Sequence, residues 1–159
     1  MAAEYSEQLL WKRADLDDPQ IQALLALHTE RALANARCRV GHALDLSALK
    51  ANAIEVWGIS LNGQVMAVGA LRKLDATHGE LKSMFVADDY RGQGLGRQLL
   101  AGLIERAREL GLSRLSLETG ASDYFEAARA LYANTGFKPC AAFADLQPHS
   151  DSVFMTRAI

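Results

Sequence analysis

The stretch that most constrains the fold is RGQGLGRQLL, residues Arg91–Leu100. Gly92, Gly94 and Gly96 stand at alternate positions, and the residues behind them repeat apolar side chains with a helical period. The first N–H groups of a helix have no partners within it, and the helix dipole adds about half a positive charge there. Glycines remove the side chains that would keep a ligand from those groups, at a cost in conformational entropy. The stretch therefore predicts either a tight strand-to-helix connection or a phosphate or pyrophosphate site.

The glycine spacing excludes two common nucleotide-binding motifs. The stretch lacks the G-x-x-x-x-G-K-S/T pattern of a P-loop, and Arg97 stands where the third glycine of G-x-G-x-x-G would be.

Apolar periodicity and turn signals predict a mixed sheet flanked by helices, α/β or α+β in class. Asn62-Gly63 is a strong signal for a type I′ hairpin turn. The predicted strands are Gln8–Arg13, Ile54–Leu61, Gln64–Leu71, Gly79–Val86, Leu112–Glu118, Phe137–Phe143 and Ser152–Arg157. The predicted helices run from Pro19, capped by Asp17 or Asp18, to about Ala36; over His42–Asn52, begun near Asp45 or Ser47; from about Gly92 to Gly111; and from Ser122 or Asp123 to Gly136.

Composition narrows the class of protein. The 159 residues fit a single domain, 1–159, and a net charge of −2 offers no broad basic surface for nucleic acid. Cys38 and Cys140 show no C-x-x-C spacing, so we expect two reduced thiols and no metal site. No segment approaches the roughly 20 apolar residues of a membrane span, and the apolar run near the N-terminus is too short for a signal peptide. We expect a cytoplasmic protein without a membrane partner.

Two motifs resemble those of the GNAT N-acetyltransferase superfamily. Arg91–Gly96 matches the Q/R-x-x-G-x-G/A loop that binds the pyrophosphate of acetyl-CoA, and ALYANTGF, Ala130–Phe137, resembles the family's A-x-x-L-Y-x-x-x-G-F segment. The order of predicted elements also agrees with that fold. The resemblance implies a mostly antiparallel, twisted sheet of about seven strands with about four helices. HGELKSM, LSLETG and SVFM further resemble a bacterial subgroup sometimes labelled indole-acetate acetyltransferases, although indole-acetate has no amine to acetylate.

The resemblance assigns cofactor roles by position. Backbone groups of Phe85 and Val86 would hold the pantetheine arm, and Tyr132 would lie near the thioester sulfur. The pyrophosphate would lie on the N–H groups of the glycine stretch, with an arginine at either end to neutralise it: Arg91, Gly92, Gln93, Gly94, Leu95, Gly96 and Arg97. The family often has an asparagine at the position of Phe125, so one polar contact to the cofactor arm is missing here.

Acyl transfer to an amine needs a donor for the leaving thiolate and an acceptor for the amine proton. Tyr132 suits the first need because a phenol is a hydrogen-bond donor at neutral pH, although a tyrosine on a helix stripe is also a common core residue. Glu80 is the first candidate for the base, unless the strand end is simply exposed. Glu118 is the second candidate. His78 is the third, and it also reads as a plain loop residue.

The acceptor is the part of the predicted reaction that the sequence determines least. Alternation along Gly79–Val86 predicts Glu80, Lys82 and Met84 on one face, with Leu81, Ser83 and Phe85 on the other. Lys82 would either contact an acceptor carboxylate or pair with Glu80. His78, His42 and His28 are further candidates near the acceptor.

Three functions remain open from the sequence. The first is acetyl transfer from acetyl-CoA to a small-molecule amine, by direct attack in a ternary complex and without a metal. The second is acetylation of a protein lysine or N-terminus. The third is a non-catalytic acyl-CoA sensor. A C-terminal edge strand could pair across a homodimer.

Overall fold

The computed structural model describes residues 9–36, 46–51 and 54–159. Its elements follow the predicted order β-α-α-β-β-β-α-β-α-β-β. The strands are β1 (Leu10–Arg13), β2 (Glu55–Leu61), β3 (Gln64–Lys73), β4 (His78–Val86), β5 (Arg114–Gly120), β6 (Lys138–Pro139) and β7 (Ser152–Ala158). The α-helices within these ranges are α1 (Pro19–Ala34), α2 (Leu46–Ala51), α3 (Leu95–Glu109) and α4 (Glu126–Asn134), and short 3₁₀ turns, Asp88–Tyr90 and Asp123–Phe125, precede the last two.

All seven strands form one sheet in the order β1-β2-β3-β4-β5-β7-β6. Every neighbouring pair is antiparallel except β4 and β5, which are parallel. The predicted mixed, mostly antiparallel sheet with about four helices is confirmed.

Local turn chemistry sets several element boundaries. Asn62 and Gly63 both have positive φ, +50° and +79°, as a type I′ turn requires. Helix α3 begins at Leu95 rather than near Gly92, because Gly92 and Gly94 have φ of +76° and +79°, which no α-helix contains.

The predicted strand Phe137–Phe143 was too long. Only Lys138–Pro139 pairs with β7 as a strand, and the Cys140 N–H adds one further hydrogen bond to the Phe154 carbonyl at 2.9 Å. Pro139 has no N–H, so it cannot donate to a ladder and is tolerated on this edge strand.

The sheet has an apolar cluster on each face. One contains the buried stripe of α3, including Leu99 and Leu103, and the other contains Ile21 and Leu25 of α1. The absence of a side chain at Gly69 lets α3 approach β3, since a Cβ there would lie 2.8 Å from Leu103 Cδ1. Helices therefore cover both faces of the sheet.

A β-bulge interrupts the pairing of β3 with β4. Val68 lies opposite Phe85, but Ala70 lies opposite Lys82, so one residue of β3 faces two residues of β4. Ser83 at this point has φ of +54°, a conformation that is uncommon for a residue with a Cβ.

The bulge corrects the predicted alternation along β4. Glu80 and Lys82 share a face, as expected, and their side chains pair. Met84, predicted to lie beside them, instead packs against the α3 cluster that contains Leu81, whereas Phe85 belongs to the α1 cluster. The extra residue reverses the side-chain direction for the rest of the strand.

Strands β4 and β5 pair over only part of their length. The parallel register runs from His78 opposite Arg114 to Leu81 opposite Leu117 and stops there. Beyond this point the C-terminal half of β4 has no pairing with β5, and the gap between the two strands is where the cavities lie.

Candidate active site

A cavity of about 310 Å³ lies at the C-terminal end of β4. Its walls are the end of β4, the glycine loop (Arg91–Gly96), the start of α3, and α4 with the turn before it. Eight of the predicted cofactor residues line it: Phe85, Val86, Arg91, Gly92, Gly94, Leu95, Gly96 and Tyr132. Gln93 and Arg97 are exposed and do not line it.

A smaller cavity of about 60 Å³ lies between the separated ends of β4 and β5. Lys82, Ser83, Glu118 and Thr119 are polar residues that line this cavity and not the larger one. The residues that line both cavities are His28, Met84, Phe125, Ala128 and Tyr132. The two cavities therefore adjoin at these residues.

The mouth of α3 offers free backbone donors to the larger cavity. Gly94 is the N-cap residue, and no side chain caps this end of the helix. A Cβ built on Gly92 or Gly94 would meet no atom within 4 Å, so the space in front of the loop is open. Unpaired first-turn N–H groups with a positive dipole end suit an anionic group such as a pyrophosphate.

Two arginines contact the ring of Phe85, which lines the larger cavity, and Asp88 pairs with both of them. Arg91 Nε lies 3.3 Å from the Val86 carbonyl oxygen and 3.3 Å from Asp88 Oδ1, with its Cζ 5.2 Å from the Phe85 ring centre. Arg31 of α1 binds Asp88 through two hydrogen bonds of 2.5 Å. Hydrogen bonding from Arg31 lowers the pKa of Asp88, which therefore remains a carboxylate at neutral pH.

Tyr132 lies on α4 where the two cavities adjoin. Its side chain is buried, and its hydroxyl donates to Met84 Sδ at 3.7 Å, a weak contact. Burial raises the pKa of Tyr132 to about 12, so the phenol keeps its proton at neutral pH. The hydroxyl is thus a donor located at the junction.

Glu80 lines neither cavity. It is 2% exposed, with Lys82 Nζ at 2.9 Å and Arg72 Nη1 at 3.8 Å from its carboxylate oxygens. We expected a charge on this strand to require a cleft, but the ion pairs satisfy it instead. Lys82 does line the smaller cavity, yet its ammonium is bound to Glu80.

Of the remaining predicted acid–base and acceptor residues, Glu118 lines a cavity and His78 does not. Glu118 of β5 is half-buried and lines the smaller cavity. His78 lies at the opposite end of β4 from the glycine loop, lines neither cavity, and has Nε2 2.7 Å from Ser116 Oγ. His42 lies outside the described residues.

His28 was only a weak candidate from the sequence. It follows Ile21 and Leu25 at helical spacing and precedes Ala32, all three buried, so it occupies the inward stripe of α1. A histidine on the apolar stripe of a helix was the signal that could have identified it. Burial, with a contribution from the charge of Arg91, lowers the pKa of His28 to about 4.

Within residues 9–36, 46–51 and 54–159, no group of three or more His, Cys, Asp or Glu side chains could hold a metal ion. In the same part of the chain, no helix combines the length and apolar character that a membrane crossing needs.

Comparison with known proteins agrees with this fold and site. The sequence profile of the Acetyltransferase (GNAT) family matches residues 15–137. The N-acetyltransferase YedL of Escherichia coli is 39% identical over 147 residues, which cover 91% of this chain and 92% of YedL. The crystal structure of an acyl-CoA N-acyltransferase from Klebsiella pneumoniae superposes with a TM-score of 0.78 at 32% identity, covering 95% of this chain and 97% of that one.

Two further relatives have names that state an acceptor. An IAA acetyltransferase of Azospirillum brasilense is 37% identical over 120 residues, 74% of this chain and 76% of the relative. The [ribosomal protein bS18]-alanine N-acetyltransferase of Escherichia coli is 36% identical over 93 residues, 58% of this chain and 61% of the relative. The family match spans well over half of the chain, and the similarity to YedL spans nearly all of it. The chain therefore belongs to the GNAT acetyltransferase family and is an acyltransferase.

Proposed function

We propose that this enzyme transfers the acetyl group of acetyl-CoA to the amine of a small molecule by direct attack in a ternary complex. The observation that carries the proposal is the pair of adjoining cavities, with Tyr132 at their junction. The larger cavity would hold the acetyl donor and the smaller one the acceptor amine. Both substrates can then be bound at once, as direct transfer requires.

The acetyl donor is assigned to the larger cavity by the chemistry of its walls. The pyrophosphate would lie on the N–H groups of Gly92–Arg97, and Arg91 or Arg97 would offset its charge. The pantetheine arm would lie along the end of β4 at Phe85 and Val86, where that strand has no pairing with β5. The thioester would then reach the junction.

Transfer would proceed by attack of a neutral amine on the thioester carbon. The nitrogen forms the new C–N bond, the C–S bond breaks, and coenzyme A leaves as a thiolate. The Tyr132 hydroxyl would donate a proton or a hydrogen bond to that sulfur. Its raised pKa supports a donor role because the phenol stays protonated.

The proton lost by the amine would pass to Glu118, directly or through water. Glu118 lines the smaller cavity, where the amine would bind. Glu80, our first candidate for the base, is held by Lys82 and Arg72 outside both cavities. Its support as the base is therefore weaker than the support for Glu118.

The proposed acceptor is a small amine without a required carboxylate. A carboxylate would need a cation in the smaller cavity, and the ammonium of Lys82 is already bound to Glu80. The cavity of about 60 Å³ suits the end of a narrow molecule.

Acetylation of a protein N-terminus is the second candidate, favoured by the partial similarity to the alanine N-acetyltransferase.

The experiment is a panel of amines assayed for CoA release with acetyl-CoA as donor. The panel contains α-amino acids, β-alanine, putrescine, tryptamine and a hexapeptide that begins with alanine. We expect release with at least one free small amine and weaker release with the peptide. A preference for the peptide would instead support the second candidate. Binding of acetyl-CoA without release by any amine would contradict both and support a sensor.

A further inference from the structure

The junction of the two cavities contains a second polar group besides Tyr132. The residues lining both cavities are His28, Met84, Phe125, Ala128 and Tyr132. Of these, only His28 and Tyr132 have side chains that form ordinary hydrogen bonds. Tyr132 is assigned to the leaving sulfur, and the imidazole of His28 has no assignment in that scheme.

Aromatic packing holds the His28 ring in place. Its centre lies 5.5 Å from that of Phe85, with 53° between the ring planes. Phe85 is itself contacted by the guanidinium groups of Arg31, at 5.7 Å, and Arg91, at 5.2 Å. Within the described part of the chain, no hydrogen bond engages the ring nitrogens of His28. The ring is thus oriented at the junction by its neighbours, and none of the residues that the structure describes occupies its nitrogens.

The His28 ring is uncharged at neutral pH, since burial and the nearby Arg91 lower its pKa to about 4. An uncharged imidazole has one nitrogen with a lone pair and one N–H. The lone pair can accept a hydrogen bond from an amine, whereas an imidazolium would repel an ammonium and could only donate.

We propose that His28 contacts the acceptor and that its ring nitrogen accepts a hydrogen bond from an N–H of the attacking amine. This inference rests on the proposed function. The bond orients the amine so that its nitrogen lone pair faces the thioester carbon. A primary amine has a second N–H, whose proton leaves toward Glu118 or water, so His28 itself gains no proton. Helix α1 thereby supplies an acceptor-positioning contact in addition to Glu118 of β5.

The test compares His28→Phe, His28→Gln and His28→Asn with the wild type. The probe is the member of the amine panel from which the wild type releases CoA fastest. Phenylalanine preserves ring packing on Phe85 and removes the nitrogens. Glutamine and asparagine supply an amide oxygen near the positions of Nε2 and Nδ1 respectively, without an ionisable group. His149→Gln is the matched control, because His149 lines neither cavity.

We expect His28→Phe to lower kcat/KM for the amine by roughly 10- to 100-fold. The Kd for acetyl-CoA should stay within about threefold of the wild-type value, since the contact is made with the acceptor. One of the two amide variants should recover a substantial part of the loss, and His149→Gln should match the wild type. Thermal melting and acetyl-CoA binding verify that each variant is folded.

Three results would overturn the role of His28 in an active enzyme. They are wild-type kinetics in His28→Phe, a loss explained entirely by weaker acetyl-CoA binding, and no recovery in either amide variant. A wild-type protein that binds acetyl-CoA but releases no CoA with any panel member contradicts the proposed function itself, and the role of His28 falls with it. The wild-type measurement thus separates the two failures.

Discussion

The ammonium of Lys82 donates a hydrogen bond to the carboxylate of Glu80 at 2.9 Å, and their side chains are only 11% and 3% exposed. Lys82→Met would leave the buried carboxylate with Arg72 as its remaining cation, 3.8 Å away. We expect the free energy of unfolding to fall by roughly 3 kcal/mol, the lower end of the cost of breaking a buried pair.

Lys50→Met is the matched control for that variant. It breaks an ion pair with Asp17 whose side chains are 45% and 82% exposed. Urea unfolding should show a much smaller fall in the free energy of unfolding than in Lys82→Met, because solvent screens an exposed pair. Kinetics add a second check on Lys82, because a structural pair predicts similar losses for acidic and neutral amines. A rise in KM confined to acidic amines would instead show that Lys82 binds an acceptor carboxylate.

Binding of acetyl-CoA by the glycine loop can be tested with a control variant that carries the same backbone strain. Gly94 and Gly111 both have φ of +79°, and a Cβ on either would meet nothing within 4 Å. Alanine at either position should therefore destabilise the fold similarly, by about 1 kcal/mol. Only Gly94 lines the larger cavity. Gly94→Ala should weaken acetyl-CoA binding by roughly tenfold or more, while Gly111→Ala should not.

Calorimetric titration with acetyl-CoA decides this prediction. Equal affinities of the two alanine variants for acetyl-CoA would contradict the proposal that the glycine loop binds the pyrophosphate. Valine at position 94 would be a poorer choice than alanine, because a β-branched side chain adds strain at positive φ.

The dependence of the free energy of unfolding on pH should report the burial of His28. Its pKa is about 4 in the folded state, against an ordinary value of 6.5. Between these values the unfolded chain binds more protons, so stability falls as the pH falls from about 6.5 to 4. The free energy of unfolding should fall by at most about 3 kcal/mol over this range. Denaturant unfolding of His28→Phe should lack this loss.

The carboxylate of Glu55 titrates in a lower pH range than His28 and serves as an internal control. Hydrogen bonding from Arg106 lowers the pKa of Glu55 from 4.5 to about 2, so its contribution is present above pH 4.5 and is lost as the pH falls toward 2. That loss should persist in His28→Phe. Parallel pH profiles of wild type and variant between pH 6.5 and 4 would contradict the assignment to His28.

Local signals predicted much of the fold. The Asn62-Gly63 turn, Pro19 at the start of α1 with Asp18 capping it, and the glycines before α3 each depend on the chemistry of adjacent residues. The bulge at Ser83 could not be predicted in this way, because it is a property of how β3 and β4 pair. It moved Met84 to the other face. Glu80 lies outside the cavities for a different reason, because it precedes the bulge, where β4 still pairs with β5.

In the candidate site, motifs marked the residues of the larger cavity, whereas His28 was only one of three histidines named as candidates near the acceptor. The glycine loop and Tyr132 lie together, as the resemblance implied. His28 joins them because α1 crosses β4 beside Phe85, a contact between residues far apart in the chain. No local pattern encodes that contact.

The most direct test of acetyl transfer at this junction is the turnover of Tyr132→Phe, measured as CoA release with the best amine of the panel. The change removes one hydroxyl, whose only hydrogen bond among the described residues is the 3.7 Å one to Met84 Sδ, so stability should change little. We predict that turnover falls by roughly 10²- to 10⁴-fold, with the Kd for acetyl-CoA within about threefold of wild type. Wild-type turnover in a folded Tyr132→Phe protein would contradict the assignment of Tyr132 to the leaving thiolate.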